Sequence, residues 1–162
     1  MEHPFEPVYN KNSRILILGS FPSVRSRKDG FFYGHPQNRF WRVLASVYKT
    51  DVPQTVEEKK QFLFDHGIAL WDVIASCEVE NSADGSIRDA KPNDFSDIFK
   101  TAKIKAVFTN GKLAYKLYGK HVGSDAFYLP STSPANATWS LERLISEWNV
   151  IYDYTLDRKS SM

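Results

Sequence analysis

The sequence predicts an α/β protein, a three-layer α/β/α sandwich built on a short, mainly parallel central sheet. Short apolar runs that end in turn residues alternate along the chain with amphipathic helical patterns. This alternation is typical of a parallel sheet covered by helices on both faces. A length of 162 residues suits one core. Residues 1–162 are therefore expected to form a single domain, with residues 155–162 as a frayed tail.

The first part of the chain predicts one strand and two helices. The strand is expected at residues 14–20, RILILGS, an apolar run that ends at a glycine turn. A helix should begin near Phe40, because apolar side chains recur there at helical spacing. Its apolar face comprises Phe40, Trp41, Leu44, Val47 and Tyr48. TVEE at residues 55–58 has capping-box spacing, which predicts a second helix to about Asp65.

The middle of the chain is less periodic. GIALWDVIASC, residues 67–77, is apolar and is predicted to start as a short strand or loop and to continue as a helical turn. NDFSDIFK, residues 93–100, is typical of a helix N-terminus, with Asn93 or Asp94 as the capping residue.

The last third repeats the pattern of strand, turn and helix. IKAVFTNGK, residues 104–112, predicts a buried strand that leads through a glycine turn into a helix. AFYLPSTSPANAT, residues 126–138, predicts a further strand and a loop. The helix after it has apolar residues at i, i+3, i+4 and i+7, which are Leu141, Leu144, Ile145 and Trp148. NVIYDYTL, residues 149–156, is predicted to be a final strand.

Composition argues against several classes of protein. The single cysteine, Cys77, allows no internal disulfide and makes a thiolate-rich metal site unfavourable. The four histidines are scattered without metal-ligand spacing, so neither a metal nor a cofactor is expected. No apolar run approaches the roughly 20 residues that span a bilayer, and residues 1–13 lack a secretory signal pattern. An intracellular protein with no membrane partner is the simplest interpretation.

Positive charge is concentrated in one segment. The net charge of the chain is only +2, yet residues 20–49 carry +5 and the remainder carries −3. A basic face around one loop suits a phosphate backbone. A solvated loop and helix face would give the same pattern, and charge alone does not decide between them. The basic residues of the segment are Arg25, Arg27, Lys28, Arg39, Arg42 and Lys49.

Three loops should face one another at one edge of the sheet. In sheets of this class, ligand-binding loops gather at the carboxyl ends of the strands. The loops that follow predicted strands contain GSFPS with HPQNRFW, then TNG, then LPSTSPAN. Their shared cleft is the default candidate for a functional site.

Hydrolase and nucleotide-binding motifs are weak in these loops. A serine nucleophile could be Ser20, Ser131 or Ser133 with His35 as its base, but GSFPS does not match the G-x-S-x-G elbow. TNGK is too short to cradle a triphosphate. A small-molecule serine hydrolase remains a minor alternative.

The aromatic and amide residues of the first loop fit a different chemistry. DGFFYGHPQNRFW, residues 29–41, holds several aromatic rings and an asparagine beside the basic segment. A ring at such a position can stack on an unpaired base, which contributes roughly 1–3 kcal/mol. An asparagine nearby can hold a base edge or a water molecule. Enzymes that act on a base inside a duplex first extrude that base into a pocket of this kind.

The three loops together resemble a known family. LGSFPSVRSRKDGFFYGHPQNRFWRVL resembles the first motif block of the mismatch-specific branch of the uracil-DNA glycosylase superfamily, in which a G-x-N-P-G loop precedes an HPxNRFW signature. TNGKLAY is similar to that family's central strand, turn and helix, and LPSTSPANA stands at the place of its second active-site motif. The resemblance covers nearly the whole chain in order and implies a uracil-DNA glycosylase-like fold.

Departures from the family pattern indicate a subgroup. Phe21 stands where the mismatch-specific enzymes have a catalytic asparagine, Ser131 and Thr132 lead the proline–serine motif, and Ala135 stands at the place of a leucine wedge. This combination is similar to the hypoxanthine-DNA (deoxyinosine) glycosylases. The resemblance implies base excision repair of deaminated adenine in damaged DNA, with uracil excision weak or absent. It also implies a monofunctional enzyme that leaves an abasic site.

The resemblance assigns roles around the base. Asn38 of the HPxNxFW motif would be the catalytic residue that positions a water molecule, although an N-cap role is the alternative. Tyr33 would stack on the flipped base, and its alternative is packing within its own loop. Backbone donors around Ser20 and Phe21, with the Ser133 hydroxyl, would stabilise the leaving base. Asn110 either reads a base edge or caps the next helix, and the cap is favoured.

The remaining assignments concern DNA outside the base pocket. Arg25, Arg27, Lys28 and Arg39 are candidates for phosphate contacts. Residues 131–136 are expected to contact the DNA backbone and minor groove through Ser131, Thr132, Ala135 and Asn136. His35 and Pro36 are expected to shape the loop, Phe40 and Trp41 to lie in the core, and Asp72 has no assigned place.

Two rival functions stay open beside the small-molecule serine hydrolase. One is a uracil or mismatch-specific glycosylase, against which Phe21 argues. The other is a catalytically inactive nucleic-acid-binding module of the same fold, which would bind damaged DNA without forming an abasic product. A monomer in the cytoplasm, nucleoid-associated in a prokaryote, is expected for each of these functions.

Overall fold

A computed structural model of the protein describes residue 3 and residues 5–21, 30–79 and 87–156. Within these residues the fold consists of six strands and six helices. The strands are β1 (Ile15–Gly19), β2 (Ile68–Asp72), β3 (Ile74–Val79), β4 (Ile87–Pro92), β5 (Ala106–Asn110) and β6 (Ala126–Leu129). The helices are α1 (Phe40–Tyr48), α2 (Val56–His66), α3 (Ser96–Thr101), α4 (Lys112–His121), α5 (Leu141–Trp148) and α6 (Val150–Thr155).

The central sheet is parallel, as the sequence predicts. Four strands lie in the order β2-β1-β5-β6, and every neighbouring pair runs in the same direction. The register places Gly19 opposite Asp72 and Asn110 opposite Leu129. The last residues of the four strands therefore meet at one edge, where the following loops converge.

Both faces of the sheet are covered, which gives the predicted three-layer sandwich. Alternate residues of a strand point to opposite faces. Ile15 and Ile17 of β1 pack in one core cluster with apolar side chains of α1, α2, α5 and α6. Leu16 and Leu18 pack in a second cluster, with Ile98 of α3 and Tyr118 of α4 on the opposite face.

Local signals placed most helices correctly. Thr55 and Glu58 form the predicted capping box at the start of α2, which ends at Gly67 in the left-handed conformation. The N-cap residue of α3 is Phe95, so the cap predicted at Asn93 or Asp94 was wrong, although the Asp94 carboxylate accepts a hydrogen bond from the backbone N–H of Ser96 at 2.9 Å. The apolar face predicted for α1 is buried apart from Tyr48, which is half-buried.

Two predictions about secondary structure were wrong. The helical turn expected after β2 is instead β3, which pairs with β4 in an antiparallel two-stranded sheet. The final strand expected at residues 149–156 is the helix α6. In α6, Ile151 and Thr155 lie four residues apart and are both buried, so packing of one helical face outweighs the strand propensity of a β-branched and aromatic segment. The helix α6 ends at Thr155, the first residue of the predicted tail, and residues 157–162 lie outside the described residues.

In the described ranges, no helix is both long and apolar enough to cross a bilayer.

Candidate functional site

The three predicted loops meet at one edge of the sheet, and buried indole groups anchor two of them. Trp41 of α1 donates a hydrogen bond from Nε1 to the Phe32 carbonyl at 3.2 Å, which fixes the loop before α1. Trp148 of α5 donates from Nε1 to the Pro130 carbonyl at 2.9 Å, which fixes the loop after β6. The predicted core roles of Phe40 and Trp41 are confirmed, since both side chains are buried.

Asn38, Thr132 and Asn110 form a hydrogen-bonded network between the three loops. The Thr132 hydroxyl donates to Asn38 Oδ1 at 2.9 Å. It accepts from Asn110 Nδ2 at 3.0 Å, and Asn110 Oδ1 accepts from the Thr132 backbone N–H at 3.0 Å. Asn110 therefore does not use its side chain to cap α4, and the favoured cap role was wrong. Its amide instead fixes the loop after β6 to the end of β5.

Asn38 also contacts the start of α1, although the N-cap residue of this helix is Arg39. Asn38 Oδ1 also accepts from the backbone N–H of Phe40 at 2.9 Å, at the start of α1. His35 holds the same turn, because its carbonyl accepts from Asn38 N–H at 2.9 Å and its Nδ1 accepts from Gln37 N–H at 3.0 Å. His35 thus shapes the loop as predicted. The amide oxygen of Asn38 therefore accepts hydrogen bonds from Thr132 and Phe40. The Nδ2 group is the part of the side chain that can still bind a substrate.

Arg39 holds the second loop. Its guanidinium donates to the carbonyls of Ser133 at 2.9 Å and Asn136 at 3.1 Å, and to that of Trp139. Its backbone N–H donates to the Thr132 carbonyl at 3.0 Å. Because three carbonyls occupy both terminal nitrogens, we assign Arg39 a positioning role and not the phosphate contact predicted from charge. The other predicted phosphate residues, Arg25, Arg27 and Lys28, lie outside the described residues.

The 131–136 loop is built by its own polar side chains. Ser131 Oγ accepts from Ser133 N–H at 3.1 Å, and Ser133 Oγ accepts from Ala135 N–H at 3.1 Å. Asn136 Nδ2 donates to the Ser131 carbonyl at 3.0 Å. Ala135 is exposed at the tip, where it can meet DNA.

Thr132 corrects one of the predicted DNA contacts. The side chain is fully buried, with no exposed surface, so it cannot touch a DNA backbone. The sequence predicts an exposed side chain, because Thr132 lies in a polar loop. In the structure its hydroxyl group instead lies beneath the loop and bonds to Asn38 and Asn110.

Tyr33, predicted as the stacking ring, packs on Phe40. Their ring centroids lie 4.0 Å apart with an angle of 21° between the planes. Tyr33 is half-buried and has a left-handed backbone with φ of 54°, a conformation uncommon outside glycine. One face of the ring is thus used by α1, so packing within the fold accompanies any stacking on a base.

The first loop is fixed at its backbone. The carbonyls of Gly19 and Ser20 accept from Val73 N–H at 2.8 Å and Ile74 N–H at 3.1 Å. The Phe21 side chain is buried in the second core cluster. Of this residue, the backbone and not the ring is the part that can face a base.

Sequence reasoning missed a buried pair beside this loop, formed by His3 and Asp72. His3 Nε2 lies 2.7 Å from Asp72 Oδ2, and the two side chains are only 3% and 5% exposed. His3 Nδ1 accepts from Phe5 N–H at 3.0 Å, so in this arrangement Nε2 carries the proton that is donated to the carboxylate. A Cβ at Gly19 would overlap Asp72 Oδ1 and lie 2.8 Å from the Tyr33 hydroxyl. Because Gly19 has no side chain, the Asp72 carboxylate and the Tyr33 hydroxyl can both approach the end of β1 closely.

Asn38 also lines a cavity of about 300 Å³ between the loop and α1. Tyr33 and His35 form one side of it, and two basic residues, Arg42 and Lys59, lie along it. Arg42 is exposed. A polar cavity with cationic residues beside an aromatic ring suits a nucleotide unit of a DNA strand.

The serine-hydrolase alternative finds no support in this geometry. Over residue 3 and residues 5–21, 30–79 and 87–156, which include Ser20 and His3, no serine hydroxyl is hydrogen-bonded to a histidine ring. Ser131 and Ser133 use their Oγ atoms as acceptors from backbone N–H groups of the same loop. A nucleophile would instead be paired with its base.

Replacing Arg39 by lysine is expected to destabilise the protein by about 2–4 kcal/mol and to slow catalysis. One ammonium group cannot reach the three carbonyls that the guanidinium contacts, and each charge-assisted bond contributes about 1.5–3 kcal/mol. Thermal unfolding and single-turnover rates measure the two effects. Arg42→Lys is the matched control, because exposed Arg42 makes one long hydrogen bond of 3.4 Å to the Gln37 carbonyl. Equal melting temperatures for the two variants would contradict the positioning role.

The sequence and the fold are both similar to those of known proteins. Residues 6–152 match the model of the uracil DNA glycosylase superfamily. A protein of Methanosarcina acetivorans described as a hypoxanthine DNA glycosylase is 36% identical over 91% of this chain and 96% of its own length. A second such protein, from Methanosarcina barkeri, is 36% identical over 89% of this chain and 93% of its own. A solution NMR structure from M. acetivorans, described as a candidate uracil DNA glycosylase, superposes with a TM-score of 0.78 at 34% identity, covering 93% of this chain and 96% of that one.

Proposed function

The chain belongs to the uracil DNA glycosylase superfamily, and on that premise we propose how its site releases hypoxanthine from DNA. The protein is a DNA glycosylase of base excision repair whose substrate is damaged DNA carrying deoxyinosine. The observation that carries this conclusion is the 36% identity to two hypoxanthine DNA glycosylases over about nine-tenths of the chain.

The reaction is hydrolysis of one N-glycosidic bond. The bond between C1′ and N9 breaks with its electron pair going to the purine, and the sugar becomes cation-like. The oxygen of a water molecule then bonds to C1′, one water proton goes to the base, and the products are an abasic site and free hypoxanthine. The strand itself stays intact, since no lysine attacks the sugar in a monofunctional enzyme.

Asn38 is the residue that we place beside the sugar. Two features support this role: Phe21 occupies the position of the catalytic asparagine found in the mismatch-specific branch, and Asn38 is held at the junction of the loops by Thr132 and Phe40. A fixed amide at this point can orient water and substrate with little reorganisation. It is not a strong base, which suits a reaction in which the sugar cation forms before water attacks.

The other contacts follow from the positions of the loops. A flipped base would lie against the face of the Tyr33 ring that is turned away from Phe40. Backbone N–H groups near Ser20 and Phe21, together with the Ser133 hydroxyl, would stabilise charge on the departing purine. Ser131, Ala135 and Asn136 would face the DNA backbone from the second loop.

Uracil excision is the second candidate function, because the structural relative from M. acetivorans is described as a candidate uracil DNA glycosylase. Phe21 argues against it, since its apolar ring replaces an amide that could serve the reaction. Substrate range therefore decides between the two functions.

We expect the wild-type protein to cut a labelled duplex at a single inosine after alkali treatment, and to cut the matching uracil duplex far more slowly. Alkali cleaves only at abasic sites, so the assay reports glycosidic hydrolysis alone. A xanthine duplex and an undamaged duplex complete the panel. Faster cutting at uracil would favour the second function, and binding without cutting at any base would indicate an inactive binding module.

A further inference from the structure

The orientations of both amides in the network are fixed by backbone groups. A backbone N–H can only donate, so the atom of Asn38 that faces Phe40 N–H must be the amide oxygen. The atom of Asn110 that faces Thr132 N–H must likewise be an oxygen. Neither amide can be flipped without placing an NH₂ group against an N–H donor.

The direction of the hydroxyl bond follows from these orientations. Asn110 presents Nδ2 to the Thr132 hydroxyl at 3.0 Å, so the hydroxyl oxygen accepts there. Its only proton is then donated to Asn38 Oδ1 at 2.9 Å. Donation thus runs in one direction, from Asn110 through Thr132 to Asn38.

Asn38 is left with donors only. Its oxygen already accepts two hydrogen bonds, which matches its two lone pairs. In the part of the chain that the structure describes, the side-chain hydrogen bonds of Asn38 both involve Oδ1, and Nδ2 donates none. Asn38 is half-buried and lines the cavity beside Tyr33.

We infer that Thr132 is a positioning residue that holds the Asn38 oxygen against the protein, so that Asn38 acts on its substrate through the two Nδ2 hydrogens. The inference rests on the proposed function and deepens it, since it makes Asn38 a donor to the water oxygen or to the leaving base. Accepting a proton from the attacking water is excluded in this geometry. That proton leaves to solvent or to the purine.

Thr132→Val tests the positioning role, because valine keeps the shape of threonine and removes the hydroxyl. We expect the single-turnover rate at inosine to fall by about 10²-fold, as a small misplacement of a catalytic group can cause. KM should change little, because Thr132 is buried and cannot touch DNA. Thr132→Ser, which restores the hydroxyl, should recover most of the rate.

Thr109→Val is the matched control for the loss of a buried hydroxyl. Thr109 is also fully buried, and its hydroxyl donates to the Phe127 carbonyl at 3.0 Å, away from the network. We expect it to lower the melting temperature without changing the rate of the folded protein. A Thr132→Val rate equal to that of Thr109→Val would overturn the positioning role.

Asn38→Asp tests the chemical part of the inference. Aspartate can keep an oxygen toward Thr132 and Phe40, but it replaces the Nδ2 donors by an acceptor. If Asn38 donates, this variant should be as slow as Asn38→Ala. Activity near that of the wild type would show that an acceptor suffices and would overturn the inference.

The side-chain amide resonance of Asn38 gives a readout that does not depend on activity. It should shift in Thr132→Val, return toward its wild-type position in Thr132→Ser and stay in place in Thr109→Val. An unshifted resonance in Thr132→Val would overturn the network itself. If the wild-type protein released no base, the proposed function would fail while this measurement still decided the role of Thr132.

Discussion

Replacing Asn38 by alanine is expected to reduce hypoxanthine release from an inosine duplex by about 10²–10³-fold. The reason is the loss of a fixed hydrogen-bond donor at the reacting sugar, and removal of one such preorganised donor has an effect of this size in other enzymes. Because Asn38 Oδ1 also accepts from Phe40 N–H at the start of α1, the variant should lose about 1 kcal/mol of stability as well. Single-turnover kinetics and thermal unfolding measure the two effects separately.

Thr55→Ala is the control that distinguishes the loss of helix capping from the loss of catalysis. Thr55 caps α2 by accepting from Glu58 N–H at 3.0 Å, so its loss should cost a similar stability and leave the excision rate unchanged. An Asn38→Ala protein that excises hypoxanthine at the wild-type rate would reduce Asn38 to a helix cap. The search for the catalytic residue would then move to the first loop.

Sequence patterns predicted the parts of the fold that depend on local periodicity. The strands β1, β5 and β6, and the helices α1 and α5, each carry either a continuous apolar run or a helical stripe, and α2 carries a capping box. The parallel order of the sheet followed from their alternation. A buried strand that lies between two covered layers needs only its own apolar residues to be recognised.

Predictions failed where tertiary contacts decide the structure. The segment after β2 begins with an apolar run that fits a helix or a strand, and it is a strand here because it pairs with β4. Residues 149–156 have strand-like composition, yet Ile151 lies in the core below the sheet and holds them as a helix. Neither contact leaves a local pattern in the sequence.

The same limit applies to the candidate site. The HPxNRFW motif pointed to Asn38 because it is contiguous, and the loops came together because parallel strands end at one edge. Charge counting could not reveal the contacts of Arg39 within the protein, because its partners lie about 100 positions away in the second loop. Thr132 was misjudged as exposed for a related reason, since its burial depends on Asn38 and Asn110 from two other loops.

The pair of His3 and Asp72 is the clearest example of a contact that local sequence patterns cannot predict, since 69 positions separate the two residues. Its removal is also expected to lower stability strongly, by an amount comparable to that of Arg39→Lys. In His3→Ala the Asp72 carboxylate stays buried and loses its hydrogen-bond donor, which should cost about 3 kcal/mol. For a chain of this length, each kcal/mol lowers the melting temperature by about 2–4 °C. Asp125→Asn is the control, because that carboxylate is exposed and accepts from the Tyr118 hydroxyl at 2.8 Å.

A double-mutant cycle decides whether the pair itself carries this stability. His3 also packs edge-on against the rings of Phe5 and Phe21, at 5.6 Å and 5.8 Å between centroids, so His3→Ala removes apolar contacts as well as the hydrogen bond. Asp72→Asn removes the charge and keeps the contacts of the side chain. If the bond dominates, adding His3→Ala to Asp72→Asn should cost about 1–3 kcal/mol less than His3→Ala alone. Additive losses would instead mean that the aromatic contacts hold the N-terminal segment over the ends of β1 and β2, and that the carboxylate is buried beside Gly19 without depending on His3.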